Sequence, residues 1–183
     1  MRKLICVVLF LATACACGGQ LGGPPESNLR NFSIAIPEGW RELNSSKYLM
    51  ITREGAFSQY ILVQRRRVDK PFKHTEKKLN KYMPPKQAAE VIIDEIWSDS
   101  RVLNFHLSEC VRTRVNQYNG FRIVYTYKEK GGLNFMTVYY GVLEGDWFYC
   151  LRYSVEVKKY TDEDIETFAK VLNSFKIAGA PSA

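Results

Sequence analysis

Two histidines, His74 and His106, and two cysteines, Cys110 and Cys150, are the residues outside the N-terminal segment that suit metal binding or thiol chemistry. His106 and Cys110 are four residues apart, which on one face of a strand separates them by roughly 13 Å. That distance is too long for both to hold one metal within a strand, and the chain contains neither a CxxC nor an HxxxH spacing. We therefore expect no metal site.

The two cysteines would form a disulfide only if the fold brought them together. The registers expected from the turn residues place Cys110 opposite Thr126 and Cys150 opposite Tyr139, which puts the two cysteines three strands apart. Neighbouring strands are about 4.8 Å apart, whereas the Cα atoms of a disulfide lie within about 7 Å. We expect two free thiols on the less apolar face of the sheet.

Nucleophilic and phosphate-transfer chemistry has no recognisable motif in this chain. No GxSxG turn is present, and no glycine-rich phosphate loop follows a strand pattern. Acidic residues lie mainly at helix starts and turns, where capping and solubility account for them. We expect a non-catalytic protein without a cofactor; the alternative is a hydrolase-type enzyme whose residues meet only in the folded chain.

Residues 65–81 form a strongly basic segment, with eight Lys and Arg residues against Asp69 and Glu76. The basic residues are Arg65, Arg66, Arg67, Lys70, Lys73, Lys77, Lys78 and Lys81. This surplus predicts either a patch for anionic lipid or an acidic envelope protein, or a solvated loop that discourages strand-edge aggregation. Nucleic acid is not an expected partner, because the N-terminal segment, described below, resembles an export signal.

Aromatic residues offer a second type of binding surface. In the alternating pattern of the C-terminal strands, Phe135, Tyr139 and Phe148 point away from the main apolar set. If no helix covered them, they would line an exposed apolar groove and the protein would be a carrier of a small apolar ligand. A second helix layer over that face would remove the groove.

The segment 104–156 must position most of these side chains, and its pattern predicts four antiparallel strands joined by tight turns. Three strands alternate apolar with other residues; the apolar sets are Phe121, Ile123, Tyr125 and Tyr127, then Met136, Val138, Tyr140 and Val142, then Trp147, Tyr149, Leu151, Tyr153 and Val155. A loop at 129–132 would place Ile123 opposite Val138, and the following glycine turn would place Val138 opposite Leu151. Both registers put all three sets on one face.

Shorter strand patterns precede this meander at 32–36, 48–52 and 59–68, and two amphipathic helices complete the elements. The first helix has the stripe Ala89, Ile92, Ile93, Ile96 and Trp97, and the second has the stripe Ile165, Phe168, Ala169, Leu172 and Phe175. The hydroxyl of Thr161 is placed to cap the second helix. Two such helices need a sheet face to cover. The sequence therefore predicts an α+β fold, an antiparallel sheet of about six to seven strands with a C-terminal meander, covered by two main α-helices.

The first residues resemble a bacterial lipoprotein signal. Two basic residues precede an apolar run at 4–14 that is too short to span a bilayer, and small residues precede Cys15 and Cys17. The resemblance implies cleavage before Cys15, with Cys17 as the alternative, and acyl chains such as palmitate that anchor the new N-terminus in a lipid bilayer. Neither cysteine is followed by the Asp of inner-membrane lipoproteins. This implies an outer-membrane protein facing the periplasm.

Beyond the signal, the chain is predicted to be one domain on a tether. Residues 1–16 are the signal, 17–30 a flexible Gly/Pro-rich tether, 31–177 the domain and 178–183 a disordered tail. The formal charge of the whole chain is +7; without the two basic residues of the signal, 24 basic and 19 acidic residues leave +5. The mature chain is therefore moderately basic.

Two motifs resemble the PsbP-like/DcrB-like family. They are the opening strand and turn at 32–40, FSIAIPEGW, and the end of the last helix at 168–175, FAKVLNSF. The resemblance covers residues 31–177 and implies an α/β/α sandwich built on an antiparallel sheet. Members of the family are accessory or binding proteins, so it also implies an envelope lipoprotein that acts as a non-catalytic accessory or binding module. No catalytic residues are carried over.

Overall fold

The structure, a computed structural model, describes residues 26–28, 31–43, 48–53, 55 and 58–179, and for 26–28 only the backbone. The signal segment with Cys15 and Cys17, most of the tether and the last residues, 180–183, lie outside this part of the chain. None of the helices within it has the length and apolar character that a membrane crossing requires.

Ten strands and two helices follow one another along the described chain, together with one short 3₁₀ turn. They are β1 (Glu26–Asn28), β2 (Phe32–Ala35), β3 (Arg41–Leu43), β4 (Leu49–Thr52), β5 (Gln59–Arg67), α1 (Pro85–Trp97), β6 (Val102–Val115), β7 (Tyr118–Glu129), β8 (Asn134–Glu144), β9 (Trp147–Glu156), the turn Val157–Lys159, α2 (Asp162–Ser174) and β10 (Lys176–Ile177). Seven strands form one antiparallel sheet in the order β3-β4-β5-β9-β8-β7-β6, and β1-β2-β10 form a small second sheet. The predicted α+β fold is confirmed.

The helices cover opposite faces of the large sheet. On the α2 side, the helix and the small sheet enclose a core that includes Ile34, Leu49, Ile61, Tyr149, Leu151, Tyr153, Phe168 and Phe175. On the α1 side, the helix and the segment 68–84 pack on a second cluster that includes Phe72, Ala89, Ile92, Phe121, Ile123, Tyr125, Tyr139 and Phe148. Both faces are therefore buried, and β9 runs through the middle of the sheet.

Each helix turns most of its predicted stripe toward the sheet, with exceptions at Trp97 of α1 and at Ala169 of α2, which is exposed. In α2, Thr161 caps the first turn, because its Oγ1 accepts a hydrogen bond from the Asp164 backbone N–H at 3.3 Å. Phe168, Leu172 and Phe175 are buried as expected. In α1 the last stripe residue departs from expectation: Trp97 is 69% exposed, because the helix ends there and the sheet does not reach it.

The predicted register between β7 and β8 is wrong by one residue. Ile123 lies opposite Tyr139, not opposite Val138. The connection is shorter than predicted, because Glu129 and Leu133 close a three-residue loop whose last residue, Gly132, has φ +93°. A slip of one residue moves every side chain of a strand to the other face. The set from Phe121 to Tyr127 therefore packs under α1 and not in the α2 core.

The register between β8 and β9 is also shifted from the prediction, but the side chains keep their predicted faces. Val138 lies opposite Tyr153, two residues from the predicted Leu151, because the turn is Gly145-Asp146 with Gly145 at φ +57°. A shift of two residues preserves the face. The β8 and β9 sets accordingly share the α2 core as predicted.

The predicted tether contains one element of structure. β1 falls within residues 17–30 and pairs with β2 in the register Glu26↔Ala35. At the other end, the Ala178 N–H donates to the Asn31 carbonyl oxygen at 2.9 Å. Backbone pairing therefore continues beyond both ends of the predicted domain.

Candidate functional site

The basic segment 65–81 is divided between the two faces of the sheet. The Arg65 Cζ lies 4.1 Å from the centre of the Trp147 ring on the α2 side. The Arg66 Cζ lies 3.7 Å from the centre of the Phe72 ring on the α1 side. Adjacent strand residues point to opposite faces. The three consecutive arginines therefore do not form one patch.

Several charges of this segment are paired with nearby carboxylates. Arg67 Nε lies 3.0 Å from Asp69 Oδ1, and Lys81 Nζ lies 3.6 Å from Asp146 Oδ1. Lys77 forms an ion pair with Asp94 of α1. The side chains of Lys70, Lys73 and Lys78 are exposed. The positive charge of the segment that has no carboxylate partner is thus smaller than the sequence total suggests.

The three aromatic residues expected to line an open groove are buried. Phe135 and Phe148 are each 2% exposed and Tyr139 is 6% exposed. The prediction of an open groove is therefore wrong. The helix α1 packs over β6, β7 and β8 and supplies the second helix layer that covers this face. Tyr139 and Phe148 instead line part of a cleft beside that helix.

Cys110 and Cys150 are both free thiols, but the residues opposite them on the neighbouring strands differ from those predicted. Cys110 lies opposite Ile123 and Cys150 opposite Gly141, and three strand steps separate β6 from β9. Cys150 is buried under α1, and burial raises the pKa of its thiol to about 11. It is therefore protonated and unreactive at neutral pH.

A cleft of about 890 Å³ lies between α1, the loop around Phe72 and the sheet. Its floor is formed by side chains of the central strands, namely Tyr60, Gln64, Tyr125, Tyr127, Tyr139, Phe148 and Arg152. Its walls and rim are Arg66, Phe72, Lys73, His74, Ile92, Glu95, Ile96, Asp99, Arg101, Val102, Glu129, Lys130 and Gly131. This volume is within the range of about 300–1,000 Å³ typical of small-molecule sites.

Arg152 is the central charged residue of the floor. It lies on the middle strand, opposite Leu62 of β5 and Tyr139 of β8. Its Nε is inaccessible to solvent and has no hydrogen-bond partner, while the side chain as a whole keeps partial exposure and borders the cleft. Among the described residues, no carboxylate lies within ion-pair distance of Arg152. A buried guanidinium without a counter-charge is energetically unfavourable.

Tyrosines surround this guanidinium. The Arg152 Cζ lies 5.5 Å from the centre of the Tyr60 ring, a distance suited to a cation–π interaction. Burial raises the pKa of Tyr125 to about 12 and raises that of Tyr139 well above its usual value. These phenols are therefore neutral at pH 7. They offer O–H donors and ring faces to a ligand but no negative charge to Arg152.

The acidic residues of the cleft are occupied by other groups. Glu95 on α1 accepts hydrogen bonds from the backbone N–H groups of Lys73, His74 and Thr75, with N···O distances of 3.0 to 3.1 Å. It also accepts the Thr75 hydroxyl at 2.9 Å. This carboxylate therefore fixes the loop against the helix and closes one wall of the cleft.

A second carboxylate, Asp99, organises the rim. The Arg101 guanidinium hydrogen-bonds to it, with Nη2 at 2.6 Å from Oδ2, and lowers the pKa of Asp99 to about 2. His74 Nε2 approaches the same carboxylate at 3.5 Å. With Glu129, the cleft contains three acidic residues against five Lys and Arg residues. The net charge of its lining is therefore positive.

The chemical groups that line the cleft define what it can bind. No group of three or more Cys, His, Asp and Glu residues within the described ranges is placed to hold a metal ion. The histidine that lines the cleft, His74, faces Asp99 at the rim and has no nucleophile beside it among the described contacts of the site. The floor presents a cation, hydroxyl donors and aromatic faces, which suit recognition of a small molecule.

Comparisons with known proteins identify the fold. No family model matches the chain, and no curated protein is similar to it in sequence. The solution structure of cyanobacterial PsbP (CyanoP) from Synechocystis sp. PCC 6803 superposes with a TM-score of 0.57 at 11% identity, covering 88% of this chain and 97% of that one. The fold is PsbP-like.

Two further solved structures are similar. LpqN of Mycobacterium tuberculosis, described as involved in cell envelope biogenesis, has a TM-score of 0.53 at 13% identity and covers 87% of each chain. A protein from Bacteroides thetaiotaomicron VPI-5482 has a TM-score of 0.47 at 9% identity, covering 80% of this chain; this chain spans only 44% of its length. At these identities the similarity establishes the fold alone.

Sequence reasoning missed the cleft of this PsbP-like domain, although one signal was present. In β9, Phe148, Cys150, Arg152 and Ser154 alternate with the α2-side residues, so the pattern places Arg152 on the less apolar face of the sheet. The α1 stripe, however, requires a sheet face of its own. An arginine in the middle of the chain's most regular strand, on the face that this helix covers, is the residue that could have been singled out.

Proposed function

We propose that this chain is a lipid-anchored binding module of a bacterial cell envelope, and that the cleft beside α1 is its ligand site. The observation that carries the proposal is the preformed cleft of about 890 Å³ with Arg152 and four tyrosines converging on it. The chemistry of the lining supports recognition and not bond cleavage. The LpqN structure, from a protein described as acting in envelope biogenesis, supports an accessory role for this fold.

The proposed anchor is an acylated N-terminal cysteine, Cys15 or alternatively Cys17, in the outer membrane and facing the periplasm. Its support is the signal-like sequence, since these residues lie outside the described part of the chain. The exposed Lys70, Lys73 and Lys78 add a basic surface that suits anionic headgroups or an acidic envelope protein.

The first test of the anchor is the intact mass of the protein extracted from bacterial membranes, with Cys15→Ala and Cys17→Ala variants in parallel. The expected result is a mass increase from acyl chains that one of the two substitutions abolishes. An unmodified chain in the soluble fraction would contradict the anchor and leave the cleft as the site of a diffusible binding protein.

The basic surface is tested separately with vesicles that contain anionic lipid. Charge reversal at Lys70, Lys73 and Lys78 is expected to weaken binding of the domain, because electrostatic attraction grows with the number of basic residues near the surface. The matched control reverses three exposed lysines elsewhere on the domain, Lys86, Lys158 and Lys170. Equal binding by the triple variant, the control and the native domain would remove the surface from the proposal.

A further inference from the structure

We propose that the cleft binds a small organic anion, in which a carboxylate or phosphate ester lies against Arg152 and an aromatic body stacks on the tyrosine rings. This inference rests on the proposed binding function and specifies the class of ligand. It assigns Arg152 the role of anion anchor in the floor.

The first argument is that the charge of Arg152 has no carboxylate partner among the described residues. A guanidinium is always ionised in proteins. Its neighbours Tyr125 and Tyr139 have raised pKa values and are neutral at pH 7, and Tyr60 presents its ring face. Of the three acids of the cleft, Glu95 is held by the loop backbone and Asp99 by Arg101. The third, Glu129 at the end of β7, is not within ion-pair distance of Arg152. An anion entering the cleft would therefore provide the counter-charge that the fold omits.

The second argument is that another buried charge of this protein is treated differently. Asp164 of α2 is fully buried, and the chain supplies it with Arg53 at 3.2 Å and with the Thr161 hydroxyl at 2.7 Å. The fold thus provides this fully buried carboxylate with a basic partner. Arg152, which borders the cleft, has no carboxylate partner among the described residues.

The third argument concerns the remainder of the ligand. Rings of Tyr60, Tyr125, Tyr127 and Phe72 line the space next to the guanidinium, with Ile92 and Ile96 of α1 opposite. Planar or apolar groups pack favourably on such faces. Lys73, Arg101 and Lys130 at the rim would attract an anion toward the entrance. An inorganic anion alone would leave most of the volume unfilled.

The test uses three probes of similar shape on the native domain: 2-naphthoate, 1-naphthyl phosphate and neutral 2-naphthylmethanol. Binding is measured by isothermal titration calorimetry. We expect at least one anion to bind at least tenfold more tightly than the alcohol, and the preferred anion identifies the acidic group. In parallel, the ¹⁵N–¹H signal of the Arg152 Nε is expected to shift with the anions and not with the alcohol.

Variants assign the effect to the guanidinium. Arg152→Met should weaken anion binding at least tenfold and leave the alcohol unchanged, whereas Arg152→Lys should give an intermediate loss because it keeps charge without the planar fork. The matched control is Arg65→Met, which removes an arginine with a buried unpartnered nitrogen from the opposite face of the sheet. It should bind the anions as the native domain does.

The outcomes separate this inference from the proposed function. If alcohol and anions bind equally and Arg152→Met changes neither, the anion inference is wrong and a site for apolar ligands remains. If none of the probes binds, the cleft is not a ligand site and both proposals fail. The nuclear magnetic resonance shift is read on the native protein, so the inference stays testable if Arg152→Met does not fold.

Discussion

The two faces of the large sheet are covered by helices of equal length but are packed in different ways. On the α2 side, aromatic and aliphatic side chains interlock, and Phe168 contacts both Tyr140 and Tyr153. On the α1 side, the helix mainly contacts β6 to β8, and a cleft lies between the helix, the loop around Phe72 and side chains of β5, β7, β8 and β9. The comparison contrasts a closely packed face with a face that contains a cleft, the proposed ligand site.

The largest expected difference between the faces is in stability. Phe168→Ala removes a side chain that is 1% exposed, and it should lower the free energy of unfolding by about 3–5 kcal/mol through lost burial and a cavity. The matched change on α1 is Ile96→Ala, a partly buried wall residue of the cleft, with an expected loss of about 1–2 kcal/mol. Urea unfolding of both variants measures this. Equal losses would contradict the division between the faces.

The buried charges provide the next test. Asp164→Asn should destabilise the protein by about 2 kcal/mol, below the range for fully buried pairs because the side chain of Arg53 is 38% exposed. Arg152→Met should instead leave stability unchanged or increase it, since the native guanidinium has no ion pair to lose. Thermal and urea unfolding of the two variants measure the sign and size of each change in the free energy of unfolding. A large loss in Arg152→Met would show that its aromatic contacts are structural.

Close packing is also expected at one point of the α1 face, away from the cleft. Gly141 lies opposite Phe121, and a Cβ there would come within 2.2 Å of the Phe121 ring. Gly141→Ala should therefore cost about 1–3 kcal/mol through overpacking. A control with free space is Gly131→Ala at the β7–β8 turn, where no atom lies within 4 Å of the added carbon. If Gly141→Ala leaves the free energy of unfolding unchanged, the Phe121 side chain can move to accommodate the added methyl group, and the packing here is looser than expected.

The helix caps should differ by a smaller amount. Thr161→Ala removes the N-cap of α2 and should cost about 1 kcal/mol. α1 begins after Pro84, which makes no side-chain cap, so Pro84→Ser is expected to add about 0.5–1 kcal/mol. Paired unfolding curves test the contrast. A stabilising Thr161→Ala would contradict the assigned cap.

The smallest effect concerns the rim of the cleft and depends on pH. The folded pKa of Asp99, about 2, lies below its ordinary value of 3.8, so its contribution is complete above about pH 4 and is lost as the pH falls toward 2. The contribution should not exceed about 1 kcal/mol because Arg101 is largely exposed. The stability difference between native protein and Asp99→Asn, followed from pH 6 to pH 2, should shrink across this range. A difference that stays constant to pH 2 would contradict the depressed pKa.

Much of the architecture was predictable from local patterns. The stripe of α2 and its cap at Thr161 follow from a period of 3.6 residues and a hydroxyl at the first turn, and both are observed. The strands of the meander follow from their period of two. The face of β7 was not predictable from that pattern, because one residue more or less in the loop before β8 reverses it.

By itself, the sequence determined the elements, the α+β class and the basic character of this protein, because propensity and periodicity act over a few neighbouring residues. Only the tertiary structure decided which face each strand presents, that a cleft lies between α1 and the sheet, and that Arg152 is left without a carboxylate partner among the described residues. Those features depend on contacts between residues far apart in the chain, such as Arg152 and Tyr60, whose distances no local pattern encodes.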